Sequence, residues 1–162
     1  MENMKKESEC LTCKSLRGEI SLAPGPVIYE GKYWRIEHVA PTAVPGWLVI
    51  LLKRHASALH ELSTEEFSEF ATLAKASTDI LFKKFNCEKE YMACFAEGEG
   101  FRHIHVHIIS KPVGLSSTNL GPHVFQLLGP KVTDPLKDEE IQQICSDLKA
   151  LFQEELKKAG AL

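Results

Sequence analysis

Residues 47–52 read WLVILL, six apolar positions without a break, the pattern of a short strand buried on both faces. Upstream, LAPGPVIYEGKYWRIEHVAP predicts two shorter strands, 27–30 and 32–39, turning at Glu30-Gly31, before proline and glycine interrupt APTAVPG. The period then changes. Ser63 with Glu66 three residues on is a capping box, and Phe67, Phe70, Ala71, Ala74, Thr78, Leu81 and Phe85 recur at helical spacing. Further strands are expected over CEKEYMACFA (87–96) and FRHIHVHII (101–109), joined tightly by EGEG. Proline-rich residues 111–136 predict loop. Ile141, Ile144, Leu148, Leu151, Phe152 and Leu156 then line one face of a second helix, for packing or dimerisation. Near the N-terminus, SECLTCKSLRGE fits a short turn or helix ending at Gly18, and residues 1–9 are polar and expected to fray.

Strands joined by short connections favour antiparallel pairing. The predicted class is α+β: an antiparallel sheet of about five strands, a central helix, and an additional C-terminal helix. Residues 1–112 form the main unit, and 113–162 a loop and helix packed on it. The chain's 162 residues and 44% hydrophobic content suffice for one real core. A net charge of -3 gives no reason to expect binding to a nucleic-acid duplex, so an anionic ligand must be met by a few local donors. No apolar run is long enough for a membrane span, and MENMKKESECLTCKS lacks the apolar region of a signal peptide. Five cysteines, an odd number, argue against a disulfide framework and for a reduced, cytoplasmic protein.

The histidine strand changes the picture from fold to chemistry. His103, His105 and His107 alternate with Ile104, Val106 and Ile108, so in a strand the imidazoles share one face, about 6–7 Å apart. Three readings suit such a face: a solvated surface, a metal site built on HxH, or catalysis at phosphorus by a neutral imidazole assisted by a second one. CLTC, Cys10 and Cys13, is either a redox pair or half of a zinc site, and no βαβ pattern supports the redox option. His60 is a weaker ligand candidate near a helix start, and His123 stands alone.

HIHVHII fits the pattern His-φ-His-φ-His-φ-φ and resembles the motif of the histidine triad superfamily of nucleotide hydrolases and transferases. GWLVILLKRHASALHELS is similar to that family's buried strand and the Lys-Arg-His turn leading into its central helix. The likeness covers residues 10–112 and leaves 113–162 without a counterpart. It implies that His105 attacks the α-phosphorus of a nucleotide, giving a nucleotidyl-histidine that water or another acceptor resolves. His107 would then donate a hydrogen bond to the phosphate. Substrates would be nucleotides or dinucleotide polyphosphates, and family members commonly form homodimers. Bacterial members similar to this sequence complete a zinc site from CxxC, the histidine of the Lys-Arg-His turn and the first triad histidine. The resemblance therefore implies a structural zinc on Cys10, Cys13, His55 and His103, closed to substrate.

The sequence departs from the family around the phosphate. The acidic residue that holds the ribose hydroxyls falls at Glu37 or His38, with His38 favoured by alignment. Ala96 stands for an asparagine, EGEGFR replaces a Gly-Gln-Ser/Thr segment, and Trp47 takes the place of a histidine. Amides of the Ala96–Gly100 turn, including those of Glu97, Gly98 and Gly100, are the expected phosphate cradle. Arg102 should point away from the triad by alternation. The rival reading is a triad fold that binds a nucleotide or a protein without chemistry. A less favoured one is a metal hydrolase with three histidine ligands.

Overall fold

The computed structural model describes residues 9–158 and 160, so most of the polar N-terminal stretch expected to fray lies outside the described residues. The order is α1 (Leu11–Leu16), β1 (Tyr29–Glu30), β2 (Trp34–His38), β3 (Trp47–Leu52), α2 (Thr64–Phe85), β4 (Lys89–Ala93), β5 (His105–Lys111) and α3 (Asp138–Lys158). Single 3-10 segments at Leu59–Glu61, Ser117–Asn119 and Gly121–Leu127 join them. The five strands form one antiparallel sheet in the order β1-β2-β3-β5-β4. The α+β class and the five-stranded count are as the sequence predicts.

Every residue of β3 is buried, because the sheet is covered on both sides. On one face, Trp34, Ile36, Leu48, Ile50, Leu52, Val106 and Ile108 pack beneath α2 and α3 in the main core. On the other, Trp47 and Ile109 pack with Val44 and Val124 in a smaller core, and Val124 comes from the segment after β5. That segment is pinned in place: the Thr42 hydroxyl and the Ala43 N–H both donate to the Leu127 carbonyl, at 2.9 and 3.1 Å. Residues 113–136 thus cover the sheet face that carries His105 and His107, while α3 closes the opposite one through buried Ile141, Cys145, Leu148, Phe152 and Leu156.

α2 begins at the predicted capping box. The Glu66 N–H donates to the Ser63 hydroxyl at 3.2 Å and the Ser63 N–H donates to the Glu66 carboxylate at 2.8 Å. Its buried face overlaps the one expected: Ala74 and Leu81 are buried and Phe70 and Phe85 pack against the core, joined by Leu73, Ala76, Ser77 and Ile80, whereas Phe67 is 43% exposed and Ala71 is exposed. Ser77 is buried at no cost in unpaired polarity, since its hydroxyl donates to the Leu73 carbonyl at 2.7 Å. Among the described residues no helix is long and apolar enough to cross a membrane.

Candidate active site and adjoining metal-binding cluster

Strand pairing assembles the histidine-bearing face. His107 of β5 lies opposite Val49 of β3 and Ala93 of β4, and Val49 in turn lies opposite Glu37 of β2. His105 lies opposite Leu51. Above these positions runs a cleft of about 470 Å³, with His105 and His107 in its lining and Phe95 to Gly98 on the β4 side.

The two histidines hold opposite tautomers. His105 Nδ1–H donates to the His103 carbonyl at 2.7 Å, which leaves Nε2 as a free lone pair. At His107 the indole N–H of Trp47 donates to Nδ1 at 3.0 Å. An indole can only donate, so His107 Nδ1 is unprotonated and its proton sits on Nε2. One ring therefore offers a nucleophile and its neighbour, 5.0 Å away between centroids, a hydrogen-bond donor. Burial lowers both pKa values. His107 is pushed to about 3, with the neighbouring His105 adding to the effect, and His105 falls despite its bond to the His103 carbonyl. Both imidazoles are neutral near pH 7, the state in which a lone pair is available.

The first histidine of the triad has left the strand and turned elsewhere. β5 starts at His105, and His103, fully buried, sends Nε2–H to the Leu52 carbonyl at 2.6 Å. Its Nδ1 then faces Cys10 Sγ at 3.6 Å and Cys13 Sγ at 3.4 Å, and His55 Nδ1 lies 3.3 Å from Cys13 Sγ. All four donor atoms lie within 4.8 Å of one another. Zn–S bonds of about 2.3 Å and Zn–N bonds of about 2.0 Å at tetrahedral angles place sulfur and nitrogen about 3.5 Å apart, so these residues fit a zinc ion. The outward hydrogen bond of His103 to a carbonyl is the usual outer support of such a ligand. None of the four lines the cleft, although Thr12, between the two cysteines, does. His55 is held there because the adjacent Arg54 forms a fork on Glu66, at 2.6 and 2.8 Å, tying the Lys-Arg-His turn to the cap of α2.

Two residues expected at the substrate are placed elsewhere. His38 is 2% exposed and points into the sheet's helix-covered side, where Nδ1–H donates to the Val39 carbonyl and Nε2 accepts from the Gly46 N–H. Glu37, one position earlier, lines the cleft instead, 3.4 Å from Arg35, and burial raises its pKa. Gly100 faces the N-terminal helix: its carbonyl accepts from the Leu11 N–H at 2.8 Å, and Leu11 fills the space a side chain would need. Ala96, Glu97 and Gly98 do line the cleft, with Ala96 buried and left-handed at φ 53°. Arg102 is exposed and lines a separate depression beside Cys10 and His55. His60 and His123 are exposed, and neither belongs to the four-residue cluster. The sequence reading missed Phe125, whose ring meets Trp47 at 5.3 Å and His107 at 5.0 Å.

A family model described as HIT domain matches residues 22–113. An adenosine 5'-monophosphoramidase of Schizosaccharomyces pombe is 26% identical over 135 residues, covering 79% of this chain and 98% of that protein. Among solved structures, a histidine triad nucleotide-binding protein from Sulfolobus tokodaii superposes with a TM-score of 0.70 at 18% identity, over 93% of this chain and 97% of that one. A zinc-bound histidine triad family protein from Mycobacterium smegmatis gives 0.65 at 18% identity, over 94% and 99%. Coverage of that extent takes in most of the chain beyond residue 113, so the C-terminal part has structural counterparts that its sequence did not reveal.

Proposed function

The chain belongs to the HIT domain family, and from that premise we propose that it is a nucleotide hydrolase or nucleotidyl transferase acting through His105. The observation that carries this reading is the pair of opposed tautomers: an Nε2 lone pair on His105 beside an Nε2–H on His107. In this reading His105 Nε2 attacks the α-phosphorus as the bond from phosphorus to the departing group breaks; that group leaves with the electron pair and takes a proton from solvent, and the ring becomes cationic while Nδ1–H stays bonded to the His103 carbonyl, which stabilises that charge. His107 Nε2–H steadies a non-bridging oxygen, and amides near Ala96 and Glu97 border the same space. Water then attacks phosphorus, releases the nucleoside monophosphate and restores neutral His105. The named activity of the S. pombe relative favours a P–N bond as the one broken.

Cys10, Cys13, His55 and His103 would hold a zinc ion, whose chemistry is to cross-link the N-terminal helix to the start of the catalytic strand. The zinc-bound M. smegmatis neighbour supports that assignment. Glu37 takes the place expected of His38 as acceptor for ribose hydroxyls. The direct test is turnover of adenosine 5'-phosphoramidate. Wild type is expected to exceed His105→Ala by about a thousandfold or more, and equal rates for the two would end the proposal.

A further inference from the structure

CLTC admits two readings, a redox pair and half of a zinc site, and its geometry suits both. Cys10 caps α1, and Cys13 lies in its first turn. The Cys13 N–H donates to Cys10 Sγ at 3.4 Å, so the first sulfur folds over that turn toward the second. Both sulfurs also meet one nitrogen, His103 Nδ1, at 3.6 and 3.4 Å. A pair spaced CxxC at the start of a helix can close a disulfide by side-chain rotation. Cys87, Cys94 and Cys145 stand outside this cluster.

Each sulfur-bearing residue is only 4% exposed, yet each borders solvent. Cys10 lines a depression of about 300 Å³ with His55, Gly100 and Arg102, and Cys13 lines another of about 150 Å³ with Arg17, Arg35 and Lys53. Neither includes His105 or His107, so a small oxidant can reach the sulfurs without entering the histidine cleft. The pair is nevertheless coupled to that cleft in two ways. Thr12, between the cysteines, lines it. His103 turns its ring to the sulfurs and its carbonyl to His105 Nδ1–H, at 2.7 Å.

We propose that Cys10 and Cys13 are a site of reversible oxidation by a peroxide, and that closing their disulfide releases the metal and withdraws support from His105. This rests on the zinc assignment and the role of His105 proposed above. Cysteines that hold zinc do so as thiolates, and a disulfide takes those donors away. The step balances: the two thiolates give up two electrons and form the S–S bond, the O–O bond of hydrogen peroxide breaks, and two protons from solvent complete two waters. His55 and His103 then remain, too few for an ion that fills structural sites with four ligands.

The test starts from protein shown by metal analysis to hold one zinc per chain. Hydrogen peroxide is added, and zinc release is followed with a chromogenic chelator. Thiols are mapped by alkylation and mass spectrometry, and turnover of adenosine 5'-phosphoramidate is read from the same samples. Met92, 54% exposed, gauges the dose, since its sulfoxide marks general oxidation. Zinc release and a Cys10–Cys13 disulfide are expected together, ahead of the Met92 sulfoxide, with turnover down about tenfold or more. Dithiothreitol with zinc should restore the rate. Cys94→Ser removes the half-buried thiol outside the cluster and should respond to peroxide as wild type does. Zinc and both thiols retained after Met92 is oxidised, a disulfide that leaves turnover unchanged, a loss that dithiothreitol and zinc do not reverse, or a response abolished by Cys94→Ser would overturn the proposal. Failure of the parent readings shows before peroxide is added, as protein that holds no zinc or that turns over no faster than His105→Ala.

Discussion

Trp47 decides what His107 can do. A histidine at that position could either donate or accept, but the indole N–H only donates, so it fixes His107 Nδ1 as acceptor and Nε2–H as donor. Protonating His107 would set two donors against each other, on top of the burial that already holds its pKa near 3. Trp47→Phe removes the donor and the support of the neutral ring. Nitrogen chemical shifts of His107 should then report mixed tautomers and a pKa above the wild-type value, with turnover down by about tenfold to a hundredfold. An unchanged tautomer would show that Trp47 merely packs. Alternation made the triad legible and spacing the cysteine pair, whereas His55 and His103 were joined to that pair only through the family resemblance; the four side chains do converge. Sequence reading misplaced His38, although the same signal was present: Trp34 and Ile36 are core residues, and His38 continues their face while Glu37 falls on the other. The departure of His103 from the strand depends on Leu52, Ala56 and the two cysteines, contacts that no local pattern encodes.

At the scale of elements, the ends were more legible than the faces. The Ser63–Glu66 box is a four-residue signal and α2 starts on it. The face of α2 was read only in part: Phe70, Ala74, Leu81 and Phe85 do meet the core, but Leu73, Ser77 and Ile80 were passed over, and a serine satisfied by its own helix leaves no trace in hydropathy. Glu66 serves both the cap and the Arg54 fork, so the cap also steadies the turn that presents His55. Ser63→Ala is expected to lower unfolding stability by about 1 kcal/mol, measured by urea denaturation. No loss would mean that the Arg54–Glu66 pair alone holds this end. The segment after β5 was legible only as loop, since its order comes from distant contacts: Thr42 and Ala43 to Leu127, and the Gly129 N–H to the Pro41 carbonyl at 2.9 Å.

Across the whole molecule, the Cys10–Cys13–His55–His103 cluster and the cleft are joined through residues 103–107. His103 belongs to the cluster by its ring and to the cleft by its carbonyl, which holds His105. Chelation or Cys10→Ser is therefore expected to lower Tm by roughly 10 °C and to slow turnover together. A His105→Ala, His107→Ala double variant should retain one zinc per chain by metal analysis, and zinc lost with the double variant instead would contradict a structural site separate from the reacting histidines. The proposed function stands on His105 carrying the nucleotide covalently. The most direct measurement mixes the protein with adenosine 5'-phosphoramidate, quenches within the first turnover and maps adducts by mass spectrometry. An adenylyl group is expected on His105, forming and decaying at rates consistent with turnover and absent from His105→Ala. Turnover at the wild-type rate with no adduct on His105, or with the adduct on another residue, would contradict it.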